Sequence, residues 1–248
     1  MVALIAALSL KRARRANLYK VLIGVLCVPP LAGLLALLSD RGGLVFFDIV
    51  VPVYVRYLVP TLMALQAANS VADEVQGKTL GYLFARPIAR WALPAGKYVG
   101  MLGVSIVLCA ASVVLVYLAC MGSQVGGGFG ALGRSLAAIT LACVHFGAVA
   151  VAFGAFVVTY PFVAMLLYVL LVDVALGLIP GGLKVVSMGI HLVNVAGLYQ
   201  PVTQKLGWSA DPQLGVGLSV GIVLGVTLAW LVIAMAFTQS HEYRVSDQ

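Results

Sequence analysis

A chain of 248 residues in which 62% of the side chains are apolar and only 9% are charged lacks the polar surface that a water-soluble domain of that length needs. Its net charge of +7 does not mark it as a nucleic-acid binder, because the basic residues cluster beside apolar runs and are not spread over a face with aromatic platforms. Runs of about 20 apolar residues recur along the chain, each long enough to cross a ~30 Å hydrocarbon core. The expected fold is an all-α polytopic membrane protein, one transmembrane domain over residues 1–248 with six transmembrane helices.

Residues 1–20, MVALIAALSLKRARRANLYK, place a short apolar run before the basic cluster, the reverse of the order in a cleaved signal peptide, and are expected to form an interfacial helix. Lys11, Arg12, Arg14, Arg15 and Lys20 flank span one (21–38) and hold its start in the cytoplasm; Pro29 and Pro30 should kink it. A short outer turn leads to span two (47–68), which returns inward to the charged segment 70–97. Span three (98–121) runs out to the loop GSQVGGGFGALG. No strand precedes that loop, so its glycines suit a flexible connection better than a phosphate cradle. Span four (135–158) turns at Thr159, Tyr160 and Pro161 into span five (161–180).

The outer segment 181–213 is too broken by Gly and Pro for a full span, but VVSMGIHLVNVAGLY within it has helical amphipathic spacing and predicts a short re-entrant or interfacial helix. Span six (214–237) ends in a polar tail, 238–248. With both termini cytoplasmic, ten of the fifteen Lys and Arg residues fall inside, as the positive-inside rule expects of a multi-pass protein of the plasma (inner) membrane. Arg41, Arg134, Lys184 and Lys205 fall outside. Trp91, Tyr160 and Trp208 fit the aromatic belt, Gln66 and Asn69 are expected at headgroups or backbone caps, and Cys27, Cys109, Cys120 and Cys143 read as small core residues. No metal site is expected.

Segment 70–97, SVADEVQGKTLGYLFARPIARWALPAGK, is the one stretch unsuited to hydrocarbon. Val75, Thr79, Leu80, Tyr82, Leu83 and Phe84 share one side of a helical wheel, opposite Glu74, Lys78 and Gly81, which predicts an amphipathic surface helix. Asp73 and Glu74 occupy its first turn, where carboxylates favour the macrodipole, and Glu74 with Lys78 is an i, i+4 pair. Pro87 stops this helix and opens a second, IARWAL, before Pro94 and Gly96 break the chain again. Arg86, Arg90 and Lys97 are placed to meet lipid phosphates or a partner's carboxylates. Gly77, Lys78 and Thr79 mimic the end of a P-loop, but Ala72 stands where that pattern needs glycine, and Asp73 and Glu74 would repel phosphate. The plain alternative is a solvated connector between two spans.

The run DEVQGKTLGYLFARPIARWALPAGK resembles the cytoplasmic signature of type-2, export-type ABC transporter permeases: a Glu, then Thr-Leu five residues later, Pro-x-x-Arg, and Gly-Lys opening the third span. Glu74, Thr79, Leu80, Pro87, Arg90, Gly96 and Lys97 match in register; Lys78 stands where many members have Gly. The resemblance implies a coupling helix between spans two and three that docks cytosolic ABC ATPase subunits, with Asp73, Glu74, Gly77, Thr79, Leu80, Leu83, Phe84, Pro87, Arg90 and Lys97 as contacts. It also implies a homodimer, or a pair with a related permease, within membrane lipid. The chain itself would be no enzyme and bind no cofactor, ATP and Mg belonging to the partner.

Arg56, His145 and Asp173 fall within spans two, four and five, about 10–15 Å below the outer surface. Charges there are costly unless paired or facing water. An ion pair of Arg56 with Asp173 is the expected structural arrangement, with His145 on a pathway or bonded to a neighbouring helix. The functional alternative is an ATP-independent, ion-coupled transporter or channel that uses all three. Export of an amphiphilic or lipid-like substrate suits an apolar cavity; related permeases also serve cofactor or metal-site maturation.

Overall fold

The structure, a computed structural model, describes residues 5–6, 23–24, 26–31, 50–67, 71–76, 89–121, 128–179, 182–197 and 214–240. Regular structure among them is helical, without a strand. In chain order the main elements are α1 (Val50–Ala67), α2 (Ala92–Met121), α3 (Gly128–Phe156), α4 (Pro161–Ala175), α5 (Met188–Ala196) and α6 (Val216–Ser240). Of these α1, α2, α3 and α6 are long and apolar enough to cross a membrane, and α4 is a shorter apolar helix that Leu176–Leu178 extends. The N-terminal interfacial helix, most of span one, the outer turn after it and the polar tail lie outside the described residues.

Two glycine- or proline-bearing stretches fold differently from their sequence reading. The second half of the GSQVGGGFGALG loop belongs to α3, which begins at Gly128; Gly130 and Gly133 sit on its open side with nothing within 4 Å of where a Cβ would be. Pro94 and Gly96 do not break the chain. Residues 89–91 form a turn instead of the IARWAL helix, α2 starts at Ala92, and Pro94 falls in its first turn, where its missing N–H has no intrahelical partner to lose.

α3 is the hub, packing against α1, α2, α5 and α6. Ala138, Ala142, Cys143, Phe146, Val149, Ala150 and Ala152 are buried along it. Gly147 lets α2 approach: a Cβ there would stand 3.3 Å from both Leu102 Cδ2 and Tyr98 Cε2. Phe153, Tyr168 and Trp230 stack with centroids 5.4–5.8 Å apart, joining α3, α4 and α6. Val107, Leu115 and Leu118 of α2, Leu167, Leu170 and Leu171 of α4, and Leu228 and Val232 of α6 are exposed, the side-chain chemistry of a lipid-facing surface. Polar side chains turn inward: Gln66 donates to Ser105 Oγ at 2.6 Å, so Gln66 links α1 to α2 instead of reaching headgroups. Ser112 bonds both the Tyr54 hydroxyl and the Leu26 carbonyl. Asn69 is outside the described residues.

For α5 the sequence left a re-entrant and an interfacial position open. An interfacial helix would leave one face to headgroups, yet every residue from Met188 to Ala196 is buried. It is wedged against α3 and α6, with further contacts to α1 and α4. Its polar residues are consumed internally. Asn194 Nδ2 donates to Leu214 O (2.5 Å) and Ser219 Oγ (2.9 Å), and His191 Nε2 lies 2.8 Å from Val185 O. Gly197 ends the helix with φ of 68°, the left-handed conformation that glycine adopts without strain. Arg134 of α3 lies over that end, its Nη1 3.3 Å from the Gly197 Cβ position, where a cation offsets the helix dipole.

Candidate functional site

Two groups of candidate residues acquire a geometry. The first is at the base of the 70–97 segment. Asp73–Gln76 makes one helical turn, and Val71 before it packs with Ile5, Ala92, Leu93 and Ala155 in a small apolar cluster that also touches Phe237. That cluster gathers the N-terminal stretch, both ends of the segment and the ends of α3 and α6.

Over it lies an ion pair: Lys97 Nζ donates to Glu74 Oε1 at 2.9 Å, with the side chains only 4% and 8% exposed. Lys97 reaches Glu74 because Pro94 starts α2 early and puts Lys97 in its second turn, buried instead of facing headgroups. The partner found for Glu74 is thus Lys97, whereas Lys78, its expected i, i+4 partner, lies outside the described residues. The chain leaves this clasp after Gln76 and returns through the exposed turn of Ala89, Arg90 and Trp91. Gly77, Thr79, Leu80, Leu83, Phe84 and Pro87, with Arg86, also lie outside the described residues, and of Asp73 only the backbone is described.

The second group is inside the membrane region. Arg56 is 2% and Asp173 4% exposed, and each lies in a stretch of wider π-helical turns, Tyr54–Leu58 in α1 and Val169–Ala175 in α4. For Arg56 the cause is legible. Pro60 has no N–H to give the Arg56 carbonyl four residues back, and the helix widens there, with Val59 N–H bonding Tyr54 O.

The direct ion pair expected between Arg56 and Asp173 is not formed. Asp173 is spent on α5: its Oδ1 accepts from Gly189 N–H at 2.8 Å and lies 2.9 Å from Ser187 Oγ, whose proton it shares with the Asp173 carbonyl at 2.8 Å. Ser187 occupies the N-cap position of α5 but does not cap it; the carboxylate of the neighbouring helix does so in its place. Asp173 Oδ2 and all three guanidinium nitrogens of Arg56 are buried without a hydrogen-bond partner.

The two charges still share one pocket. The Cβ position of Gly189 lies 3.2 Å from Asp173 Oδ2, 3.4 Å from Arg56 Nε and 3.0 Å from Arg56 Cγ, so both side chains close on the space that a side chain at 189 would occupy, and a Cβ there would push against them. His145 is not brought into this pocket. Thr227 gives its proton to Val223 O (2.6 Å), so His145 donates through Nδ1 to Thr227 Oγ1 (3.1 Å), bonding α3 to α6.

Sequence reasoning missed Ser187 and Gly189, which carry no motif. Pro60, four residues after an intramembrane Arg, was the available signal for the widened turn.

A family model described as ABC-2 family transporter protein matches residues 7–174, more than half of the chain, and takes in both the 70–97 segment and Asp173. No curated protein matches.

Proposed function

We propose that this chain, which belongs to the ABC-2 family of transporter proteins and is a permease subunit, docks a separate cytosolic ABC ATPase through its 70–97 segment and converts closure of that motor into movement of the spans. As the transmembrane component it is not the ATPase; ATP and Mg would be bound by the partner. The observation that supports the reading is the Glu74–Lys97 clasp. A loop held only by its two spans would move independently of them, whereas a buried ion pair ties the first turn of the segment, at Glu74, to α2, so that a push on the segment is passed to that helix. In this reading Glu74 and Lys97 position the docking surface, and Gly77, Thr79, Leu80, Leu83, Phe84 and Pro87 with exposed Arg90 form it.

The apolar outer faces suit a homodimer, or a pair with a related permease, in the plasma membrane with both termini cytoplasmic. The apolar interior favours an amphiphilic or lipid-like export substrate. The test is to tag the chain in its native host, solubilise it gently and measure ATP hydrolysis in the eluate, with and without Gly77–Phe84. The reading requires hydrolysis to accompany the intact chain and to vanish with the deletion while the protein stays monodisperse. Hydrolysis that survives the deletion contradicts it.

A further inference from the structure

The buried charges are arranged as two alternatives for one carboxylate. Asp173 spends Oδ1 on the first turn of α5 through Gly189 N–H and Ser187 Oγ, and leaves Oδ2 unused. Bordering the same Cβ position of Gly189 is Arg56, buried, with no hydrogen-bond partner for any of its three guanidinium nitrogens. A buried guanidinium without an anion is costly in an apolar surrounding, and so is a carboxylate that loses its donors. The arrangement with α5 seated satisfies Asp173 at the expense of Arg56. If the first turn of α5 withdraws, Asp173 loses both donors, and its carboxylate is free to turn toward the guanidinium that borders the same space. Both charges then satisfy each other. That is the condition for two states of similar free energy with little between them.

We propose that Asp173 is a two-position latch: it holds the first turn of α5 in the seated state and pairs with Arg56 when α5 is released, so that Arg56 stabilises the released state. The π-helical turns around both residues supply the freedom, since a turn that is already widened can return to α-helical spacing and rotate its side chain without breaking the helix. The other polar anchors of α5, Asn194 on Leu214 O and Ser219 and His191 on Val185 O, lie further along the helix, so release at its first turn leaves them in place.

The test uses the full chain in nanodiscs and no ATPase, so it stands or falls apart from the docking reading. Ile190, 1% exposed on the second residue after Gly189's neighbour Met188, is replaced by cysteine in a Cys27→Ser background, and its rate of modification by a sulfonated maleimide is compared with the same chain lacking Cys at 190. Ser187→Ala removes an anchor of the seated state and should raise the rate about tenfold. Arg56→Gln removes the reward of the released state. Alone it should not raise the rate, and combined with Ser187→Ala it should bring the rate back to within about twofold of the parent. Should Arg56→Gln not elute as a monodisperse species, Arg56→Met takes its place. A Ser187→Ala chain that labels no faster overturns the latch. So does a chain in which loss of Arg56 raises labelling by itself, or leaves the Ser187→Ala increase intact, since Arg56 would then support the seated helix.

Discussion

Lys97 and Glu74 are 23 residues apart in sequence, yet their buried side chains meet at 2.9 Å and close the charged segment 70–97 at its base. Because the pair is buried, its members depend on each other far more than surface charges do.

Removing one partner takes from the other its opposite charge at 2.9 Å in a buried position. Lys97→Ala and Glu74→Ala should each cost about 3–5 kcal/mol. Replacing both with apolar residues of similar size, Glu74→Leu with Lys97→Met, should recover most of that loss. Reversible unfolding in mixed micelles checks both statements, and a double variant no better than the singles would show that the pair is not the interaction being lost.

Glycines on α2 and α3 separate by environment. Gly147→Val would push into Leu102 and Tyr98 and should cost about 1–3 kcal/mol. Gly103→Ala faces open space and should be neutral or stabilising by up to ~1 kcal/mol through helix propensity alone. Thermal unfolding of the two variants side by side measures the contrast.

The polar contacts between spans should be individually small. Thr227→Val removes the acceptor of His145, and Ser105→Ala removes that of Gln66; each should cost roughly 0.6 kcal/mol and no more than ~1.7, the range for hydrogen bonds between membrane helices. A loss of several kcal/mol for Thr227→Val would mean that His145 has a further role at this position.

The long apolar runs of α3 and α6 were legible because uniform hydrophobicity over that length admits little else, and family membership was legible from seven residues in register across the 70–97 segment. What escaped depended on partners distant in sequence. α5 reads as amphipathic, which left an interfacial and a re-entrant position both open; His191 and Asn194 are turned inward to Val185, Leu214 and Ser219, and a polar face satisfied inside the protein looks the same in sequence as one facing headgroups. Pro94 was read as a breaker because proline stops a helix that has begun; here the helix begins around it. Arg56 and Asp173 were paired by depth and opposite charge. That reasoning brought them to one pocket but had no means of seeing that the first turn of α5 holds Asp173 and that both side chains border Gly189.

The most direct test of the coupling account is a charge swap at the clasp, read by the ATPase that accompanies the tagged chain from its native host. Glu74→Lys should reduce the co-purified ATP hydrolysis about tenfold, equivalent to ~1.4 kcal/mol of binding. Adding Lys97→Glu should restore the ion pair with reversed polarity and bring hydrolysis back to near the parent level. A Glu74→Lys chain that keeps its ATPase, or a swap that stays as low as the single variant, would contradict the clasp as the element that positions the motor.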